Sequence, residues 1–460
     1  MKNLKVALVA FSLLMNVLAP NIAFAQDSAK STRSSLSLNP TTIQKQLSKN
    51  TQVMLGLNQV HQAKDEVNIA RGNLLPSLNL GGLLSFSGGG FILSAIDFLV
   101  PFLVPSNWAN FYTQKSLFES EKLSYKVIQL NTLSSALSMY YTVLSDYQVQ
   151  AIYQQQYLDL QEIYELQKRK SSTGTVPVSD LLQTQAQAQM AGVRASQLTE
   201  LNRQEIASIR KALALPLSTN INLEVVDAKA APWEFESASS TIRKVNSVSV
   251  EAQQFRYLIK AANEQIWSKK FGWISGGTIG SRSVNGGNAS FSNFAASGSV
   301  NLGFALYPTI QLSQDKMREI EIQARDISLE NTRIVESALG SLIEAKQQLD
   351  LSTQAENQMA RVYQIRVQEY DQGTETLTNV LIARNQMAES SIARIKSNLD
   401  VNLQRSLMQR ALISSDYANI RGCSSSAVAP EEQKKQGRIS RIFKPLKEII
   451  YPSMDEICRR

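Results

Sequence analysis

The chain has 460 residues, a formal net charge of +8 and 43% hydrophobic residues. Basic and acidic side chains are interspersed over most of its length, which reads as solvated helix faces and excludes the concentrated basic face of a nucleic-acid binder. One histidine and two cysteines offer no metal-spaced cluster, and no acid, base or nucleophile constellation stands out, so neither a cofactor nor an enzymatic activity is expected.

Lys2 and Lys5 precede an apolar run at 6–19, which Pro20 ends. Ala23-Phe24-Ala25 then sets small residues ahead of Gln26, so residues 1–25 read as a signal peptide cleaved between Ala25 and Gln26. No later apolar run has spanning length; the nearest, 91–104, is short and carries Asp97 and Pro101. A β-barrel needs no such run, because its strands are short and alternate. An exported chain of this kind can still be integral to an outer membrane.

Residues 41–73 carry Val53, Leu57, Val60, Val67 and Leu74 at roughly helical spacing, and Pro76 ends the helix. His61 lies on this helix without metal-spaced partners and reads as a surface or packed residue. Residues 77–87 alternate apolar with polar and predict a two-faced strand. Gly88-Gly89-Gly90 lacks the lysine and hydroxyl of a phosphate loop and reads as a hairpin connection to a second strand at 92–104. Pro105 and Ser106 open a helix to about Lys170, with a seam of Leu130, Leu133, Leu137, Tyr140, Leu144, Tyr147 and Ala151 in coiled-coil steps. Such a helix is a rod of roughly 100 Å. After a break at Ser171–Gly174, Ser179 and Asp180 begin another helix, which closes near Leu213-Ala214-Leu215-Pro216.

The pattern is then written again. Residues 241–271 are helix-like, 273–283 form a weaker strand, Asn285–Asn288 a polar loop, and 298–307 a clean alternation that Pro308 ends. A long helix follows to about Asp371, with Ile320, Ala324, Ile327, Ile334, Ala338 and Ala345 on its seam. It turns at Gln372-Gly373-Thr374 into a last helix running to about Ser415. Pro105 and Pro308, Gly174 and Gly373, and Asp180 and Asn379 recur in one order at near-equal spacing. The chain therefore divides into a signal peptide (1–25), a first repeat (26–220), a second repeat (221–415) and a basic tail (416–460). Two strands per copy cannot close a barrel, and an open sheet edge is not tolerated in lipid, so any barrel must be shared between chains.

Three stretches carry a family resemblance: Leu36-Ser37-Leu38 through Asn50-Thr51 to Ala70-Arg71-Gly72-Asn73-Leu74-Leu75-Pro76; Gly174 through Asp180 into Leu-Leu-Gln-Thr-Gln-Ala-Gln; and Leu213-Ala214-Leu215-Pro216. Their order over residues 36–415 resembles TolC-type outer-membrane efflux and secretion channels. The resemblance implies an α+β membrane protein: a homotrimer whose 12-stranded barrel sits in outer-membrane lipid and continues into a 12-helix periplasmic tunnel. Pro76, Pro105 and Pro308 would be its strand–helix joints. It also implies a passive exit duct of a tripartite efflux pump or type I secretion system, meeting a periplasmic adaptor and an inner-membrane pump or ABC exporter. The periplasmic tip and gate would comprise Gly174, Asp180, Gly373, Glu375, Asn379 and Ile382. Some family members carry acidic rings where this chain has Asn379 and Ile382; Glu375 is the remaining acidic residue of the turn. Trp273 stands near a place where the family has a proline.

The tail is outside the resemblance. Cys423 and Cys458 could pair in an oxidising periplasm. Between them, Arg438, Arg441, Lys444 and Lys447 alternate with Ile439, Ile442, Phe443, Leu446 and Ile449, a pattern that suits an anionic surface or acidic partner as well as a helix packed on the tunnel. The rival reading is a non-channel periplasmic coiled-coil adaptor or envelope scaffold, which would have no use for alternating strands beside the prolines.

Overall fold

The computed structural model describes residues 35–74, 104–172, 177–271 and 306–420. The chain enters through strand β1 (Ser35–Leu38) and helix α1 (Pro40–Gln46), followed by a 3-10 turn at Leu47–Lys49 and helix α2 (Thr51–Gly72). Helices α3 (Pro105–Ser172) and α4 (Val178–Ala212) are the arms of a first hairpin. Strand β2 (Asn220–Leu223) and a 3-10 turn at Pro232–Phe235 lead to α5 (Ala238–Val248) and α6 (Val250–Lys270). Helices α7 (Leu306–Asp371) and α8 (Leu377–Leu412) form the second hairpin. The signal peptide with Ala25 and Gln26, the expected strands up to residue 305, Pro76, Gly174, Trp273, Cys423, Cys458 and the rest of the tail from 421 lie outside the described residues.

Helices α3 and α7 have 68 and 66 residues, which at ~1.5 Å per residue makes each a rod of roughly 100 Å. Helices α4 and α8, with 35 and 36 residues, are about half as long. Helix α3 packs also on α2 and α6, α7 on α5 and α6, and α3 on α8 across the two hairpins. Gly56 marks the closest approach of α2 to α3: a Cβ there would meet Ile128 Cδ1 at 2.9 Å and displace it.

Several element ends differ from the sequence expectation for local reasons. The first helix is interrupted: Asn50 is extended, and its side chain accepts from the backbone N–H of Gln52 and Val53, capping α2 afresh. The helix expected at 241–271 breaks at Ser249, whose hydroxyl accepts from Ala252 N–H and starts α6. Pro105 is the first residue of α3, where a missing N–H costs nothing. Pro308 does not separate strand from helix: α7 begins at Leu306, so Leu306 and Tyr307 are helical rather than extended. Pro308 then falls in the first turn, whose N–H groups have no intrahelical partner. On the α3 seam, Leu130 to Leu144 are buried as expected, whereas Tyr147 is 43% exposed and Ala151 is exposed. The buried face passes instead through Val149, Gln156, Leu160 and Ile163, because an α-helix drifts against a strict heptad.

The main core gathers around the middle of α3. Leu133, Leu137 and Tyr140 pack with Leu38, Ile43, Ile209, Leu213, Val250 and Tyr417. Strands β1 and β2 pair in parallel there, Leu36 opposite Ile221 and Leu38 opposite Leu223. The Tyr140 hydroxyl donates to the Glu224 carbonyl and receives Val226 N–H at 3.3 Å, tying the connector to α3. The connector is tied to the second hairpin by Glu234, whose side chain is 1% exposed and paired with Arg405 at 3.0 Å and with Lys346. Burial pushes that carboxyl up, but the hydrogen bonds from Lys346 and Arg405 outweigh it and hold Glu234 below the usual carboxylate range.

Candidate functional site

The candidate site is the end of the second hairpin with the neighbouring ends of α3 and α4. Gly373 closes α7 in a Schellman motif: Thr374 N–H donates to the Glu369 carbonyl at 2.9 Å, and Gly373 N–H to that of Tyr370 at 3.0 Å. The motif needs a left-handed residue, and Gly373 supplies it with φ +76°. Thr376 then caps α8, its hydroxyl accepting from Asn379 N–H at 3.4 Å. Sequence reading placed this turn correctly because glycine and a hydroxyl cap are local signals.

Glu375 is the hub of the turn. Its Oε1 accepts from Thr376 N–H at 2.8 Å and from the Asn379 side-chain amide at 2.6 Å. Its other oxygen pairs with Arg366, which also reaches Glu369 at 3.2 Å. The Thr376 and Asn379 hydrogen bonds, with Arg366, hold the Glu375 carboxyl below its ordinary value, so it is ionised but locally neutralised. Asn379 and Ile382 are exposed, Ile382 by 48%, whereas Leu377, Val380, Leu381, Ala383 and Arg384 are buried on the other side of α8. Asn379 and Ile382, three residues apart, share the face of α8 that this chain leaves uncovered.

Asp180 does not cap α4. The capping position is Pro177, with no side-chain bond, and Asp180 lies in the first turn, where a carboxylate favours the helix dipole. The Asp180 carbonyl accepts from the Thr184 hydroxyl, which also donates to buried Gln167 of α3 at 2.9 Å. Helix α7 joins this group through Tyr370. Burial pushes its hydroxyl up, a Gln167 hydrogen bond opposes, and the charges of Asp180 and Asp371 add to the rise. Lys170 sits 4.7 Å over the Tyr370 ring. Asp180 and the Gly373 turn are thus at the same end of the molecule.

Farther up, the structure brings together residues that sequence reading missed. Arg384 is 2% exposed, the largest fully buried side chain among the described residues. Its Nε donates to Asp159 of α3 at 2.7 Å, and its guanidinium lies 5.6 Å over the Tyr363 ring of α7. Burial and the Asp159 charge push the Tyr363 hydroxyl up to about 12, against the opposing effect of Arg384. Gln156 and Asn385 add a hydrogen bond of 2.7 Å between α3 and α8. The signal was present: Arg384 interrupts the small, apolar face of Val380, Ala383 and Ala388. Among the described residues no group of His, Cys, Asp and Glu could hold a metal ion, and no helix is long and apolar enough to cross a membrane.

No protein-family model matches the sequence, and no curated protein matches it significantly. Solved structures do. The Campylobacter jejuni CmeC outer membrane channel superposes with a TM-score of 0.65 at 14% identity, covering 88% of this chain and 91% of the other. The Vibrio cholerae outer membrane protein VceC gives 0.63 at 10% identity, covering 82% and 96%. The open state of the Neisseria gonorrhoeae MtrE outer membrane channel gives 0.60 at 11%, covering 82% and 89%. The chain has the fold of outer-membrane channels, as the motif resemblance implied.

The buried Arg384–Asp159 pair generates a prediction. Removing one partner strands a buried charge and costs about 3–5 kcal/mol, whereas apolar replacement of both costs far less. Asp159→Ala is expected to lower the thermal unfolding midpoint of the purified protein more than the double variant Asp159→Leu/Arg384→Met. A double variant as unstable as the single one would show that packing, not charge pairing, joins the hairpins here.

Proposed function

We propose that this chain is a divergent TolC-type protein that assembles as a homotrimer in the outer membrane and serves as a passive exit duct from the periplasm. Three chains would contribute twelve strands to a barrel and twelve helical segments to a tunnel. A periplasmic adaptor and an inner-membrane pump or ABC exporter would engage it as part of a tripartite efflux pump or a type I secretion system. One observation carries the reading: a channel fold whose second hairpin leaves its apolar row uncovered. Leu312, Ile322, Leu329, Ile343, Leu351 and Ile365 of α7 are all more than half exposed. Ile322, Leu329 and Ile343 lie on a heptad spacing, as do Leu351 and Ile365, which is a coiled-coil seam awaiting a neighbour. A soluble adaptor or scaffold is the weaker reading, because the structures that share this fold over at least 89% of their own length are outer-membrane proteins.

In this reading the loops at Gly88–Gly90 and Asn285–Asn288 face the exterior, and the Gly373 turn and Asp180 lie deep in the periplasm with Gly174. A membrane-impermeant thiol reagent on intact cells should modify Ser87→Cys or Asn288→Cys and leave Thr175→Cys untouched. Labelling confined to Thr175→Cys reverses the orientation and refutes the assignment.

The narrowest point is proposed at Asn379, with Ile382 beside it. Three amides bind cations more weakly than three carboxylates would in a narrow passage, and Glu375 is already matched by Arg366. Single-channel recordings should show mild cation selectivity in the wild type and a clear rise, with greater block by multivalent cations, in Asn379→Asp. If Asn379→Asp changes neither while Glu375→Gln abolishes selectivity, the charged ring is in the turn.

A further inference from the structure

Near the middle of the first hairpin two carboxylates meet. Asp146 of α3 and Glu205 of α4 approach to hydrogen-bonding contact. Ionised carboxylates only accept hydrogen bonds, so this contact requires a proton on one of them. The atom-level surroundings agree: Glu205 Oε2 is buried and receives no hydrogen bond from any other donor among the described residues. The neighbouring contacts of the same interface are neutral. Asn202 donates to Gln150 Oε1 at 2.6 Å, and Gln150 donates to Thr199 Oγ1 at 2.8 Å. These hold α3 against α4 at any pH, and the carboxylate pair is the one contact in the row that changes with it.

We propose that Asp146 and Glu205 share a single proton and form a pH-operated lock between α3 and α4. With the proton in place the pair is a hydrogen bond across the hairpin. Without it, two negative charges face each other in a half-buried site and push the helices apart. The charged groups acting on the pair are the two carboxylates and, from α8, Lys396; α2 and α6, which also pack on α3, contribute none. Lys396 bears on Asp146 and makes no ion pair with either carboxylate, so it favours Asp146 as the ionised partner and leaves the proton on Glu205.

Burial, then the Asp146 charge, raises the Glu205 carboxyl to about 7, and burial raises Asp146 as well. A group raised on folding contributes its full stability below its unfolded value, here 4.5, and loses it as pH climbs through about 7. The lock is therefore closed in mild acid and released on the alkaline side of neutrality. A compartment that shares the pH of its surroundings crosses that window.

The test uses the purified full-length protein and Glu205→Gln, which keeps the shape and removes the titration. Infrared difference spectra should show a protonated-carboxyl stretch that vanishes with a midpoint of about 7 in the wild type and is missing in Glu205→Gln. The thermal unfolding midpoint should fall between mildly acidic and mildly alkaline pH in the wild type and stay flat in Glu205→Gln. A carboxyl band lost at ordinary carboxylate pH, or a Glu205→Gln variant that keeps the wild-type pH slope, overturns the lock. Neither readout depends on conduction, so failure of the channel reading would leave this result standing.

Discussion

The constraint on which the rest depends is lateral: helices of roughly 100 Å with narrow apolar stripes cannot bury those stripes within one chain. Helix α3 sits inside the protomer, flanked by α2, α4, α6 and α8, and it buries residues along its whole length from Ala109 to Gln167. Helix α7 has nearly the same length, yet its buried residues are Ser313, Val335, Ala338, Leu342 and Ala345. The exposed leucines and isoleucines of α7 would each gain about 1.5–3 kcal/mol on full burial. That gain is available only from a neighbouring chain, and it makes the oligomer part of the fold rather than an addition to it.

Polar and charged contacts then decide how the two hairpins are held. At mid-height Glu234 binds Arg405 and Lys346 and fastens the connector to the second hairpin. Toward the tip, Arg384 binds Asp159 under the Tyr363 ring and fastens the second hairpin to the first. Buried ion pairs add little net stability, but they have one good geometry. An apolar interface between smooth helices can slide; one that carries Arg384 cannot do so without stranding a charge. In the proposed duct, movement of the second hairpin at the tip would have to break or carry this pair.

Most of the helical architecture was legible because its signals are local. Heptad-like spacing, Gly373 with its left-handed turn and Pro105 at a first helical position mark ends within a few residues of where they lie. The fine breaks were less legible. Asn50 and Ser249 restart helices inside continuous periodic segments, and only their side-chain caps reveal it. Pro308 misled because a proline is as compatible with a first turn as with the boundary before it. The pairing of β1 with β2 joins four-residue strands far apart in sequence, and no local pattern announces such a contact. At the tip, the turn was visible, but Glu375 as a neutralised hub and Arg384 as a buried tie were not. Their roles are set by Arg366, Asp159 and Tyr363, which reach them only after folding.

The central claim is that the uncovered face of α7 is completed by other copies of the same chain. Native mass spectrometry of the protein extracted in mild detergent measures this directly. The account predicts a species of three chains that dissociates and loses helicity when Leu329 and Ile343 are both replaced by aspartate. A stable, fully helical monomer in the wild-type protein would contradict it.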